Sequence, residues 1–449
     1  MVELMEFLTR IKPSLELSLG LVIALAVTIH VLQTKRDVAA ATAWIGLAWF
    51  APFFGGFSYF VLGINRVRRR ALRLRGGSTG RSNRRHAGRR AAEDHRLAAL
   101  QAGIGHICGR QIETGNRIEI LHNGDEAYPA MLAAIDAAER SIGLSSYIFR
   151  ADTIGERFVT ALARAMQRGV AIRVIVDGIG SGWLRSPAYH RLRAAGIPAG
   201  RFMHSSMPWR MPFLNLRSHK KILVVDGRIG FTGGVNVADQ NVLATDPKDP
   251  IQDTHFRVEG PVVSQLAYAF GRDWEFVSGE ELDGEAWYPA LDQTGDIIGR
   301  VLTAGPDEDI EKIEFAVLQA VACARHRIQV MTPYFLPDQR VITALVLAAQ
   351  RGVAVDVVIP RKGVHRLLDW AVRANVGPLL ESGVRIWRCP PPFRHSKVMV
   401  VDGEWSLIGS SNWDMRSFRL NFELCIEAYD KGLAKVLSDL ISENQGNAL

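Results

Sequence analysis

The sequence predicts an α/β fold made in duplicate: two tandem α-β-α domains related by a pseudo-twofold axis, preceded by an N-terminal transmembrane helical hairpin. Three observations carry this reading. Short Val- and Ile-rich strands alternate with segments of helical spacing from about Gln111 onward. A stretch recurs, with Ala165-Met166-Gln167-Arg168-Gly169-Val170-Ala171-Ile172 set against Ala348-Ala349-Gln350-Arg351-Gly352-Val353-Ala354-Val355. Two apolar runs, at 17–32 and 38–64, open the chain.

The first run is apolar except for Ser18, Thr28 and His30, and is short for a span of about 20 residues. The second has no charge and is long enough. Lys35-Arg36-Asp37 separates them. The pair predicts a membrane-anchoring hairpin over residues 1–64, with segments at about 15–34 and 38–64 and both ends on one side. A cleaved signal peptide is the competitor, but no A-x-A-like site follows and a second apolar run begins at once. Pro52 and Gly55-Gly56 are positions for a kink or a re-entrant turn.

An Arg-rich juxtamembrane linker, 65–110, comes next. Residues 66–90 hold eleven arginines, no lysine and no acid. This exceeds the net charge of +8, so the remainder of the chain is slightly acidic. That distribution argues against nucleic acid, which needs a distributed basic surface. By the positive-inside rule the cluster puts everything after it on the cytoplasmic side of the cell inner membrane, in a multi-pass topology. It also attracts anionic phospholipid headgroups. Gly76-Gly77-Ser78-Thr79-Gly80 lacks the ending and the preceding strand of a phosphate loop.

The globular part reads as two domains, 111–295 and 296–449. In the first, residues 128–140 and 155–168 have helical spacing, and 142–149 and 169–176 read as strands. In the second, helices fall at 313–324 and 340–351 and strands at 328–332 and 353–359. Asp177-Gly178-Ile179-Gly180-Ser181-Gly182 follows a strand, but Trp183 breaks the dinucleotide-binding spacing. The four cysteines are scattered without a C-x-x-C pair, which predicts small buried hydrophobes rather than a disulfide framework or zinc site.

Each half ends in the same pattern. His219, Lys221 and Asp226 are spaced as H-x-K-x4-D, and so are His395, Lys397 and Asp402. Asn236 and Asn412 each follow their histidine by 17 positions. Side chains alternate along a strand, so each histidine shares a face with its lysine. A phosphodiester repels nucleophiles, and fixed cations on its oxygens offset that charge as it grows in the transition state. Two lysines supply the charge, two asparagines supply further donors, and two histidines divide proton and nucleophile duties near neutral pH.

These residues resemble the phospholipase D superfamily, whose signature is two H-x-K-x4-D motifs per active site. Within it, Arg416-Ser417-Phe418-Arg419-Leu420-Asn421-Phe422-Glu423 looks like the bacterial cardiolipin synthases. The resemblance runs over nearly the whole chain and implies two phospholipase D-like domains. It implies a membrane-bound phosphatidyltransferase that makes cardiolipin and glycerol from two phosphatidylglycerol molecules through a phosphohistidine, with His219 as nucleophile and His395 as acid/base. The family's histidine-orienting acid matches Glu423 in the second half. In the first half Asp253 is the match, with Glu259 as rival. Asp226 and Asp402 belong to the catalytic motifs but end strands before glycine, which predicts a structural role. Asn236 and Asn412 are the phosphate-binding candidates.

No metal ligand cluster is evident and no cofactor is expected, because the lysines fill the charge role of a metal. Trp209, Met211, Pro212, Phe213 and Leu214, and Pro390-Pro391-Pro392-Phe393, precede the two histidines and are candidates for a lipid-facing mouth. The alternatives are a phospholipase D that uses water, a nuclease of the same superfamily, and a non-catalytic scaffold; intact motifs argue against the last. Ser218 stands where the family often has Asn, and the tail after Asp430 is shorter than in many relatives.

Overall fold

The computed structural model describes residues 2–35, 38–64, 95–183, 185–204, 216–363 and 366–448. Arg36, Asp37, the cluster at 66–90 with its glycine stretch, and the apolar residues from Trp209 to Leu214 lie outside these. The described chain falls into two compact units, one N-terminal and one larger.

In the N-terminal unit, α1 (Val2–Thr34) includes a 22-residue segment, Pro13–Thr34, long and apolar enough to cross a bilayer. The second apolar run, expected to be the better span, is broken. Its first helix α2 (Val38–Phe50) ends at Ala51, whose φ of −143° and ψ of 71° are not helical. Pro52 causes this, since its ring disfavours helical backbone in the preceding residue. A short α3 (Pro52–Ser58) and a π-helical turn (Tyr59–Gly63) follow. Polar groups within the unit find partners in place of water. His30 Nδ1 lies 2.7 Å from the Tyr59 hydroxyl, and Trp49 Nε1 donates to Thr28 Oγ1 at 3.0 Å.

The larger unit is organised by one 15-stranded sheet, in the order β19-β13-β12-β10-β15-β16-β18-β9-β1-β8-β6-β5-β2-β3-β4. In the first half the strands are β1 (Glu113–His122), β2 (Ser141–Ser146), β3 (Ala171–Asp177), β4 (Ala199–Phe202), β5 (Ile222–Val225), β6 (Ile229–Gly233) and β8 (Thr254–Glu259). In the second they are β9 (Ile297–Ala304), β10 (Arg327–Met331), β12 (Ala354–Pro360), β13 (Arg385–Cys389), β15 (Val398–Val401), β16 (Trp405–Gly409), β18 (Glu423–Tyr429) and β19 (Asn447–Ala448). The order is palindromic about the antiparallel β9–β1 seam, apart from terminal β19. The two repeats are therefore continuous through a sheet.

Each repeat wraps its own core. β2 and β3 pair in parallel around the helix Thr153–Gln167, and β10 and β12 around Gln339–Gln350. The helices begin alike: Asp152 accepts from Gly155 N–H, and Asp338 from the N–H groups of Arg340 and Val341. Ile154, Phe158, Leu162 and Ala165 pack under the first, and Val341, Ile342, Leu345 and Ala348 under the second. The helix His95–Cys108 falls within the expected linker, yet its Leu100 and Ile104 are buried in the second half's core with Leu302 and Val317.

Candidate active site

Both histidines stand just before a buried four-residue strand, β5 or β15. The strand's apolar side chains leave no conformational choice: each is buried, which locks the register and thereby the face of the preceding His and Lys. At the far end, Asp226 and Asp402 adopt φ of 52°. Their carboxylates accept from three backbone N–H groups each, those of Glu139, Arg140 and Ser141, and of Arg325, His326 and Arg327. The motif acids thus clamp the start of β2 and β10. They do not line the cavity, although they belong to the motif.

The two imidazoles face each other with ring centroids 6.4 Å apart and planes at 78°. Glu423 Oε2 lies 3.0 Å from His219 Nδ1, and Asp253 Oδ2 lies 2.6 Å from His395 Nδ1. This crosses the expected assignment, in which each acid served the histidine of its own half. The reason is local pairing. His219 N–H donates to Phe422 O, and Ser218 bridges Phe422, so Glu423 arrives beneath His219. Likewise β14 (Phe393–Arg394) pairs in parallel with β7 (Ile251–Gln252), and His395 N–H donates to Gln252 O, so Asp253 arrives beneath His395. Thr254 Oγ1 and Ser396 Oγ, 2.7 Å apart, add a further tie across the seam. Glu259, the rival, binds Arg257 instead.

Room for Asp253 comes from Gly234. A Cβ there would lie 2.1 Å from Asp253 Oδ1, so any other residue would push the carboxylate off His395. Glu423 is held further by the Ser410 hydroxyl and by Asn421 Nδ2 at 3.2 Å. With Nδ1 taken in both rings, Nε2 is the nitrogen each presents to a substrate.

Lys221 Nζ donates to His219 O at 2.8 Å; Lys397 Nζ bonds to His395 O and lies 2.8 Å from His395 Nδ1. Burial pulls the Lys221 ammonium down to about 7, with the charge of Lys397 adding to it, and pulls Lys397 down to about 8. Burial likewise lowers His219, and lowers His395 to about 4 with help from Lys397. Against burial, Lys397 and His395 keep Asp253 well below the usual carboxylate range, and His219 keeps Glu423 low. Two buried lysines whose charges act on each other are poised for an anion that neutralises both. Asn236 and Asn412 are also buried; Asn236 Oδ1 accepts from Ile148 N–H at 3.2 Å, which leaves its amide N–H groups to donate.

Sequence reasoning missed the tyrosines. Tyr147, just past β2, packs edge-on against His219 at 4.9 Å, and Tyr334, just past β10, packs edge-on against His395 at 6.5 Å. Phe393 lies 6.0 Å from His395. The signal was a Tyr near the end of the corresponding strand in each repeat.

A family model described as a cardiolipin synthase, phospholipase D-like domain matches residues 131–274 and 317–444. The chain belongs to this family. A second model, of a phospholipase D-nuclease N-terminal segment, matches 22–63. Among curated relatives, the cardiolipin synthase of Geobacillus thermodenitrificans is 32% identical over 423 residues, covering 91% of this chain and 83% of the relative. Cardiolipin synthase 2 of Staphylococcus epidermidis is 30% identical over 429 residues, covering 91% and 86%. The fold is that of the phosphatidylserine synthase of Haemophilus influenzae, with a TM-score of 0.59 at 14% identity over 79% of this chain and 92% of that one. In this cardiolipin synthase family member the duplicated motifs make one site.

Proposed function

We propose that this enzyme joins two phosphatidylglycerol molecules into cardiolipin and glycerol by double displacement at phosphorus. The observation that carries the reading is the facing pair of imidazoles, each backed by a carboxylate and a lysine, at a spacing that admits one phosphorus between them. Their ring centroids are 6.4 Å apart, close enough for both rings to reach groups on one phosphorus.

His219 Nε2 attacks phosphorus, a P–N bond forms, and the P–O bond to the headgroup glycerol breaks. His395 gives its proton to the departing oxygen. The primary hydroxyl of a second phosphatidylglycerol then attacks the phosphohistidine, its proton passes to His395, and the P–N bond breaks. Lys221, Lys397, Asn236 and Asn412 hold the phosphoryl oxygens throughout. Asp253 and Glu423 fix the imidazole tautomers and stabilise the charge that develops on them. Burial and Lys397 keep the His395 imidazole neutral; the negative charge of the entering phosphodiester raises the ring's affinity for a proton, which it takes from solvent as substrate binds. The lysines stand in the charge role of a metal, and the reaction needs none.

An apolar N-terminal helix long enough to cross a membrane supports a membrane-bound enzyme, and the arginines at 66–90 support a cytoplasmic catalytic unit by the positive-inside rule. In that setting the acceptor hydroxyl must outcompete water for the phosphohistidine, which favours a site that excludes water. The test uses membranes supplied with labelled phosphatidylglycerol and a chelator. Wild type is expected to form cardiolipin and to tolerate the chelator, while His219→Ala and His395→Ala form none. Phosphatidic acid without cardiolipin from the wild type would favour the hydrolase reading.

A further inference from the structure

The cavity floor obeys the twofold, but the mouth does not. Arg217 stands two residues before His219, where the other repeat has Phe393 before His395. Arg416 stands four residues after Asn412, where the other repeat has Gln240 after Asn236. Both residues flank the segment that backs His219: Phe422 N–H donates to Arg217 O and Asn421 N–H to Arg416 O, each at 2.8 Å, while His219 N–H donates to Phe422 O. The charges of Arg217 and Arg416 also act on the Tyr147 phenol, whose ring is 4.9 Å from His219. Arg416 is exposed, yet its Nε reaches Asn421 Oδ1 at 3.4 Å; Asn421 in turn donates to Glu423, which holds His219. On the opposite side the mouth is aromatic, with Tyr334 and Phe393 6.3 Å apart.

The two substrates of the proposed reaction are likewise unequal at this point. The donor brings one phosphate, which the lysines take. The acceptor brings a second, joined by one glycerol to the hydroxyl that attacks, so it must stop within a glycerol's length of the reacting phosphorus. It is anionic and needs a cation beyond the two lysines that take the donor phosphate. We propose that Arg217 and Arg416 form a second anion subsite at the mouth, which holds the phosphodiester of the acceptor lipid while its hydroxyl reaches the phosphohistidine. The inference rests on the double-displacement reading above.

The experiment gives full-length enzyme in phospholipid nanodiscs a labelled phosphatidylglycerol donor and one of three acceptors: glycerol, glycerol 3-phosphate, or a second phosphatidylglycerol. Glycerol exchange uses the same phosphohistidine with an acceptor that has no phosphate. Arg217→Gln and Arg416→Gln are each expected to lower transfer to both phosphate-bearing acceptors, relative to glycerol exchange, by about tenfold or more, the worth of a lost charge-assisted hydrogen bond. The fall is expected in KM for the acceptor, with more phosphatidic acid formed, and Arg416→Lys is expected to recover part of it. If the variants slow all three acceptors alike, the arginines only support the fold and the subsite does not exist. Unchanged acceptor ratios overturn it equally. Loss with phosphatidylglycerol but not with glycerol 3-phosphate would assign the effect to the lipid chains and also overturn it. A wild type that releases no glycerol from its donor sinks the underlying reading instead.

Discussion

At the scale of single residues, the same side chain type does opposite jobs according to what surrounds it. Four carboxylates near the motifs were candidates for chemistry. Asp226 and Asp402 spend their oxygens on backbone N–H groups, whereas Asp253 and Glu423 spend theirs on imidazoles. Glu423→Gln is therefore expected to fold and to lose roughly 10²–10⁴-fold in kcat, because an amide cannot stabilise the imidazolium that forms. Asp226→Asn is expected to keep kcat within the folded fraction and to lose about 1–3 kcal/mol of stability, the range for a buried group left short of partners. Denaturation curves read beside initial rates check both. The lysines set the alkaline limb of the pH profile. Their lowered values mean that the free enzyme loses its phosphate-holding charge as pH rises through about 7 to 8. A profile of kcat/KM should fall there, far below the ordinary lysine range, while on the acid side it should fall only once the nucleophile His219 takes up a proton, below its ordinary value.

At the scale of elements, the repeats and their strands were legible from the sequence. The Val-rich run after each His-x-Lys, and the matching segments around Gly169 and Gly352, correspond to the same parallel strand pairs in both halves. The crossing of Asp253 and Glu423 was not legible, because residue spacing along the chain records loop length and not which half's cavity a loop enters. The tyrosines were hidden for another reason: an aromatic after a strand usually packs in a core, and only proximity to an imidazole distinguishes these. Nor did the second apolar run form one helix, since Pro52 interrupts it. Next to the seam, the β18–β9 pair carries an interaction that spacing could not foretell either. Arg300 of β9 and Glu427 of β18 form a buried ion pair, and Arg300 Nη2 also donates to Gln101 O, which fastens the helix His95–Cys108 to the sheet. Arg300→Met would leave the buried Glu427 without its cation, held by the Trp405 indole N–H and the Tyr429 hydroxyl, at an expected loss of roughly 3–5 kcal/mol in urea or thermal unfolding.

At the scale of the whole molecule, duplication explains why the chemistry needs two of everything. In the proposed mechanism one repeat offers a nucleophile with its acid and cation; the other offers the same set from the opposite side, so that a phosphorus between them is attacked from one face while its leaving oxygen is protonated from the other. The continuous sheet holds the two sets at fixed separation, and the seam pairs each imidazole with a carboxylate from the opposite repeat, so neither half is complete alone. Transfer to a lipid alcohol rather than water then depends on what the mouth admits and on the dryness of the floor. The most direct measurement of this arrangement is the stereochemical course at phosphorus, followed with phosphatidylglycerol made chiral by oxygen isotopes. Two successive in-line displacements through a phosphohistidine predict cardiolipin with retained configuration. Inversion would mean a single direct displacement, and the two facing half-sites would not act in sequence on one phosphorus.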